Sequence, residues 1–192
     1  MTDEPTTSHR SAQIGRRAFL GFGAAAALTA SVSVPFGAQA ASLASPPRRL
    51  SLLNTHTGER LAAEYWVKGR YVKDALRQFN HLLRDHRTDT VHPIDPELLD
   101  LVHTLQARLG TRTPIHIVSA YRSPQTNEWL REIGNGVARN SYHTKGMAVD
   151  LRLPGRETRL LHKAALRQRA GGVGYYPDSD FVHVDVGPVR TW

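Results

Sequence analysis

Alternating apolar and polar positions run through the last third of the chain. In MAVDLRL (residues 147–153) every second side chain is apolar, which leaves Asp150 on the opposite face. In FVHVDV (residues 181–186) valines alternate in the same way with His183 and Asp185. A period of two residues is typical of strands that bury one face. We therefore predict two strands that each carry chemically active side chains on the face away from the core.

Apolar residues three or four positions apart predict helices. YVKDALRQFNHLLRDHR (residues 71–87) has this spacing, and a second helix is predicted between an N-cap at Asp95 and a stop at Gly110. PQTNEWLREIG (residues 124–134) can form a short helix. RETRLLHKAALRQRAG (residues 156–171) predicts a basic helix that ends at its last glycine.

Three further segments complete the predicted secondary structure. LSLLNTHTGERLAAEYW (residues 50–66) reads as a hairpin around Thr57-Gly58, and strands are predicted at PIHIVSA (residues 114–120) and GVGYY (residues 172–176). Strands and helices do not alternate as regular crossover units. This order predicts the α+β class, with a small, mainly antiparallel sheet flanked by helices.

The first 40 residues have the pattern of an export signal. Arg16 and Arg17 in GRRAFLG precede an apolar run over residues 22–34, and AQA at residues 38–40 fits a cleavage site. The paired arginines resemble a twin-arginine signal. Since the run is shorter than the roughly 20 apolar residues that span a bilayer, we expect no permanent membrane anchor. Residues 41–48 are predicted to be a flexible lead-in, and residues 49–192 one domain.

Composition narrows the possible partners and ligands. The chain has 192 residues and a formal net charge of +8, a charge that would suit nucleic acid. The export signal favours anionic polymers of the cell envelope over nucleic acid as partners. Alternatively, the positive charge only keeps the protein soluble. There is no cysteine, so any metal ion must be held by histidine, aspartate or glutamate.

A metal site is one interpretation of the polar face. Asp150 and His183 would point to the same side if their strands are neighbours. His143 could reach them from a turn before Gly146. Two imidazoles and one carboxylate form a common catalytic zinc shell that leaves a fourth position for water. His183 and Asp185 also match the H-x-D motif of non-haem iron oxygenases. These enzymes need a second histidine further along the chain, and too few residues follow Asp185 to supply it.

Two motifs resemble a known group of metallopeptidases. S-x-H-x-x-G-x-A-x-D (residues 141–150) and SAYRSPQTN (residues 119–127) are similar to signatures of the D-Ala-D-Ala peptidase and hedgehog-type zinc peptidases. The hairpin NTHTGERLAAEYW (residues 54–66) and the ending VGYYPDSDFVHVDVGPVRTW (residues 173–192) resemble the exported YcbK/MepK-like murein endopeptidases more closely. The resemblance covers residues 49–192 and implies the fold of that group.

The resemblance also implies which residues form the site. His143, Asp150 and His183 would bind one Zn²⁺, and Ser141 would support the first ligand from outside the metal shell. Arg122 would hold a peptide carboxylate or stabilise the oxyanion of the tetrahedral intermediate.

Four other residues are candidates for substrate binding or for the general base. Ser119 and Tyr121, in the same motif as the arginine, would bind substrate. The general base is either Asp180, three positions before the last ligand as in relatives, or Asp185, which the alternation places on the same face as His183. We favour Asp185, because Asp180 is predicted to lie in a loop.

The predicted function is therefore zinc-dependent hydrolysis of peptide cross-links in peptidoglycan, in the periplasm or cell envelope. D,D- or L,D-carboxypeptidase action on murein peptides is an alternative, and a non-catalytic, zinc-stabilised wall-binding module is another. We expect a monomer that does not bind nucleic acid.

Overall fold

The computed structural model describes residues 46–134 and 136–192, so the predicted signal segment and most of the lead-in lie outside the described residues. One eight-stranded sheet has the order β3-β2-β1-β4-β5-β7-β6-β8. Its strands are β1 (Arg48–Asn54), β2 (Arg60–Val67), β3 (Arg70–Tyr71), β4 (Ile115–Ser119), β5 (Ala148–Arg152), β6 (Gly172–Tyr176), β7 (Phe181–Asp185) and β8 (Arg190–Thr191). The helices are α1 (Lys73–Leu82), α2 (Pro96–Leu109), α3 (Pro124–Glu132) and α4 (Thr158–Gln168).

The predicted α+β class is confirmed, and the sheet is mixed. Five of its seven neighbouring pairs are antiparallel, including the β1–β2 hairpin and the central β4–β5–β7–β6 block. Two parallel contacts, β1 with β4 and β6 with β8, join the hairpin and the last strand to that block. Residue periodicity does not reveal which distant strands pair, so these contacts and the two-residue strands β3 and β8 were not predicted.

Capping residues set the ends of the helices. Asp95 accepts a hydrogen bond from the backbone N–H of Glu97, and Gly110 ends α2 in a left-handed conformation, as the sequence predicted. The predicted end of α4 at Gly171 was wrong, because Arg169 already takes the left-handed conformation at φ 52°. No helix in the described ranges is long and apolar enough to cross a membrane.

The hydrophobic core lies between the sheet and helices α1, α2 and α4. Alternate residues of the central strands point into it, and each fully buried leucine or valine contributes about 1.5–3 kcal/mol. The strand residues of this core include Leu50, Leu52, Ile115, Ile117, Val149, Leu151, Val182 and Val184. The other face of the same strands is left to carry polar side chains.

A short turn before β5 depends on a glycine. Residues Tyr142–Lys145 form a 3-10 helix that ends at Gly146, whose φ is 66°. The carbonyl oxygen of Gly146 accepts a hydrogen bond from the backbone N–H of Asp95, at 3.0 Å. This contact ties the turn to the start of α2.

Replacing Gly146 by alanine is expected to destabilise the protein more than replacing Gly155. Both glycines have left-handed φ values, 66° and 76°, which cost other residues about 1–3 kcal/mol. Only at Gly146 would the added methyl group clash, 2.3 Å from the carbonyl oxygen of Pro93, whereas Gly155 has open space. Urea denaturation of both alanine variants measures the difference, and equal losses would contradict this account.

Candidate metal centre

The pairing of β5 with β7 places two polar side chains side by side. The two strands are neighbours, the condition under which Asp150 and His183 were predicted to point to the same side, and the antiparallel register places them directly opposite each other. Both side chains are buried, with relative exposures of 5% and 7%. Their neighbours Val149 and Val184 point into the core instead, so the register fixes the polar pair on the opposite face.

His143 joins this pair from the 3-10 helix before β5. Its Nε2 lies 3.1 Å from Nδ1 of His183 and 3.3 Å from Oδ1 of Asp150. The third side of the triangle, from His183 Nδ1 to Asp150 Oδ1, is 2.8 Å. The three atoms form a compact, buried donor triangle.

The donor triangle has the dimensions of one face of a metal coordination shell. A tetrahedral zinc ion with bonds of about 2.0–2.1 Å separates its ligand atoms by about 3.3 Å. The distances within the donor triangle, 2.8 to 3.3 Å, are close to this spacing. Two imidazole nitrogens and a carboxylate oxygen also suit zinc and other divalent first-row ions. His143, Asp150 and His183 could therefore hold a metal ion together.

Each imidazole is oriented by a hydrogen bond on its far side. Nδ1 of His143 donates to the carbonyl oxygen of Ala120 at 2.6 Å, and Nε2 of His183 donates to Oδ2 of Asp185 at 3.0 Å. Donation from the outer nitrogen leaves the lone pair of the inner nitrogen facing the triangle, the arrangement that metal-binding histidines usually have.

The protonation states of His143 and Asp150 favour metal binding. Burial lowers the pKa of His143, which keeps this imidazole neutral. Burial alone would raise the pKa of Asp150, but the adjacent His143 and His183 hold that pKa below its ordinary value. The triangle thus offers a carboxylate and a free imidazole lone pair. Burial alone would lower the pKa of His183, but its hydrogen bonds with Asp150 and Asp185 raise that pKa, so metal binding would displace a proton from this ring.

Ser141 supports His143 through the backbone. Its hydroxyl oxygen accepts a hydrogen bond from the backbone N–H of His143, at 3.3 Å, and caps the 3-10 helix. The ring itself is oriented by the carbonyl oxygen of Ala120. Every residue has a backbone carbonyl group, so the sequence pattern could not predict that the carbonyl of Ala120 would bind the His143 ring.

Arg122 lies against the outer oxygen of Asp150. Its Nη2 donates to Asp150 Oδ2 at 2.9 Å, while its Nε donates to Ser119 Oγ at 3.2 Å. Ser119, which was expected to bind substrate, here orients the guanidinium group. Tyr121 was also expected to bind substrate, but its side chain is buried in the core and stacks on His92 at 4.5 Å.

The turn that carries Arg122 is held by a buried carboxylate. Oδ2 of Asp85 accepts a hydrogen bond from the backbone N–H of Ser123, at 2.8 Å. Burial opposes ionisation, but hydrogen bonds from Thr126 and Ser123 lower the pKa of Asp85 to about 2. Sequence reasoning missed this residue, because it follows a helix and belongs to neither motif.

Asp185, the favoured candidate for the general base, has a different position. It is fully buried and lies across the His183 ring from the donor triangle, because it contacts Nε2 while Nδ1 faces the triangle. Its carboxylate also accepts hydrogen bonds from Gly172, Gly187 and Arg190. Because of this position and these hydrogen bonds, the Asp185 carboxylate does not face the space beside the donor triangle.

Asp180 lies at the tip of the β6–β7 hairpin and remains accessible. Its side chain is 62% exposed and 3.5 Å from Arg152, with a second hydrogen bond from Thr158. The residue has a left-handed φ of 50°. Its two partners belong to different elements: Arg152 is on β5, and Thr158 is the first residue of α4, which packs against the core face of the sheet.

A cavity of about 450 Å³ opens beside the donor triangle. Two arginines and several aromatic side chains line it together with the three donors. These further wall residues include Arg122, Tyr142, Tyr176, Phe181, Arg190 and Trp192. A larger groove of about 660 Å³ between β2 and α1 has no comparable donor set among the described residues. The smaller cavity is therefore the candidate substrate site.

Arg190 and Trp192 of this wall were not assigned a role from the sequence. Both reach the cavity because β8 pairs in parallel with β6, at Gly172–Arg190 and Val173–Thr191. A two-residue strand has no measurable period, so only the proximity of Arg190 to the H-x-D segment could have drawn attention to it.

Comparison with known proteins identifies the family of the chain. A sequence profile described as peptidoglycan L,D-endopeptidase MepK matches residues 42–192. Peptidoglycan L,D-endopeptidase MepK of Escherichia coli K12 is 49% identical over 153 residues, which is 79% of this chain and 84% of the relative. The probable peptidoglycan L,D-endopeptidase MepK of Haemophilus influenzae is 44% identical over 147 residues, which is 76% and 79% of the two chains. The resemblance seen in the motifs is confirmed, and the chain belongs to the peptidoglycan L,D-endopeptidase MepK family.

Proposed function

We propose that this protein is an exported, zinc-dependent endopeptidase that hydrolyses L,D peptide bonds in the cross-links of peptidoglycan. The observation that carries the proposal is the buried donor triangle of His143, Asp150 and His183 beside an open cavity. Relatives named L,D-endopeptidases support the substrate class. The export pattern of residues 1–40 supports action in the cell envelope.

The triangle would hold the metal ion through His143 Nε2, His183 Nδ1 and Asp150 Oδ1. When bound, such an ion supplies Lewis acidity, which polarises a carbonyl group and lowers the pKa of water. The chain contributes the fixed orientation of the three donors. Hydrogen bonds to Ala120 and Asp185 hold the two rings, and Arg122 holds the carboxylate.

Arg122 is proposed to bind the oxygen that becomes negatively charged during hydrolysis. Its side chain lines the cavity and is anchored at two points, on Asp150 and Ser119. The hydrogen bonds seen among residues 46–134 and 136–192 use Nε and Nη2, which leaves Nη1 for a ligand. A guanidinium group held in place before the reaction stabilises developing charge without further reorganisation.

Asp180 is proposed as the proton-transferring carboxylate in place of Asp185. Asp185 is buried behind His183 and fully hydrogen bonded. Asp180 is accessible, and it directly precedes Phe181, which lines the cavity. A general base must accept a proton from water and return it to the leaving amine, which requires access to solvent and substrate.

Metal removal should abolish hydrolysis of murein, and metal return should restore it. Purified murein is digested with the protein before chelation, after chelation, and after reloading with Zn²⁺, and the muropeptides are identified by mass. Purified L,D-cross-linked and D,D-cross-linked dimers serve as matched substrates. We expect cleavage of the L,D dimer only with metal present. Release of a single terminal residue would indicate a carboxypeptidase, and unchanged muropeptides after reloading would indicate a binding module.

Substitution of Asp180 should slow the reaction without loss of the metal. Because general acid–base catalysis contributes about 10²–10⁴-fold, Asp180→Asn is expected to lower kcat within that range, with the zinc content of the wild type. Asp178→Asn, on the same exposed turn, is the matched control and should keep full activity. Wild-type kcat in Asp180→Asn would remove Asp180 from the mechanism.

A further inference from the structure

A hydrogen-bonded cluster lies behind His183, on the side away from the donor triangle. We propose that Arg190 is a positioning residue, which fixes His183 through Asp185 and thereby sets the affinity of the site for its metal ion. This inference rests on the proposed role of His183 as a metal ligand. It adds a residue from β8 that is part of neither sequence motif.

Both oxygens of the Asp185 carboxylate accept several hydrogen bonds. Oδ2 accepts from Nε2 of His183 at 3.0 Å and from Nη2 of Arg190 at 2.6 Å. Oδ1 accepts from Nη1 of Arg190 at 3.0 Å and from two backbone N–H groups at 2.9 Å each, those of Gly172 and Gly187. The arginine thus binds both oxygens of a fully buried carboxylate, a geometry that sets its direction as well as its charge.

Arg190 places a positive charge beside the buried carboxylate of Asp185, with Nη2 2.6 Å from Oδ2. This carboxylate accepts a hydrogen bond from Nε2–H of His183, so the lone pair of Nδ1 faces the donor triangle. Without the guanidinium group, a buried carboxylate would lose its charged partner, a costly change in a water-excluded position.

The guanidinium group is itself held in place. It lies over two aromatic rings, 4.8 Å from the ring centre of Tyr142 and 5.1 Å from that of Trp192. Its Nη1 also donates to the carbonyl oxygen of Pro188 at 3.1 Å. Tyr142 directly precedes His143, so Arg190 contacts both chain segments that carry a histidine donor. Stacking and two-point hydrogen bonding together suit arginine and not lysine.

Three glycines leave the space that this cluster needs. A Cβ atom on Gly172 would lie 2.5 Å from both Asp185 Oδ2 and Arg190 Nη1. One on Gly187 would lie 2.4 Å from the Tyr142 ring, and one on Gly171 would lie 1.8 Å from the carbonyl oxygen of Asp185. None of the three has a left-handed φ, so close approach, and not backbone conformation, is what requires glycine here.

Arg190 also lines the cavity, which raises the alternative that it binds a substrate carboxylate. Both of its Nη atoms already donate to Asp185. A role through His183 and a role in substrate binding make different predictions. The first changes the metal dissociation constant in the absence of substrate, whereas the second changes KM alone.

The test measures metal binding by the full chain without substrate. The variants Arg190→Lys, Arg190→Ala and Asp185→Asn are compared with Arg159→Ala, the matched control at an exposed arginine on α4. Competition with a chromophoric chelator gives the Zn²⁺ dissociation constant, and the visible spectrum of bound Co²⁺ reports ligand geometry. Because partners of metal ligands contribute about 10–100-fold to affinity, we expect weaker binding in that range and a shifted Co²⁺ spectrum for all three variants. The control should match the wild type.

Further measurements separate this inference from folding and from the proposed function. Urea denaturation of the metal-free variants checks the fold, and if Arg190→Ala does not fold, Arg190→Lys decides the question. His143→Ala serves as a reference for loss of a ligand. If that variant binds Zn²⁺ poorly while Arg190→Lys binds it as tightly as the wild type with an unshifted spectrum, the positioning role is wrong and the metal centre stands. If His143→Ala also binds Zn²⁺ normally, the metal centre itself is wrong.

Discussion

The burial of the Asp150 carboxylate between two imidazole rings and a guanidinium group is the interaction on which the site depends. Removing a carboxylate from water strongly favours its protonated form unless opposite charge and hydrogen bonds compensate. Here Oδ1 faces both imidazoles and Oδ2 accepts from Arg122. The same contacts that keep Asp150 ionised also fix the direction of its free lone pairs, so the stability and the geometry of the donor triangle have one cause.

The core face of the sheet determines where this carboxylate lies. Val149 and Leu151 on β5 and Val182 and Val184 on β7 are all buried at 1% exposure or less. A shift of the β5–β7 register by one residue would turn these side chains out of the core and turn Asp150 into it. Hydrophobic burial therefore selects the register, and the register brings Asp150 opposite His183. The hydrophobic pattern of β5 and β7 is therefore enough to bring Asp150 and His183 together.

Local sequence signals predicted the parts of the structure that depend on local physics. The periods of β5 and β7, the caps of α2 and the β1–β2 hairpin are set by residues close together in the chain. The pairing of β8 with β6, the carbonyl of Ala120 and the burial of Tyr121 depend on distant contacts, and no period encodes them. The donor triangle was predicted only because its three residues lie in a motif and on two alternating strands.

The two aspartates near His183 show why alternation alone assigns a face but not a role. Asp185 is on the same strand face as His183, as predicted, yet the imidazole ring stands between its carboxylate and the donor triangle. Asp180 is outside the regular strand, and its left-handed backbone places it on an accessible turn. A residue buried against several N–H donors is suited to hold a neighbour still, and an exposed one is suited to exchange protons with water. The environment of each carboxylate, which strand periodicity does not encode, is the basis for the two proposed roles.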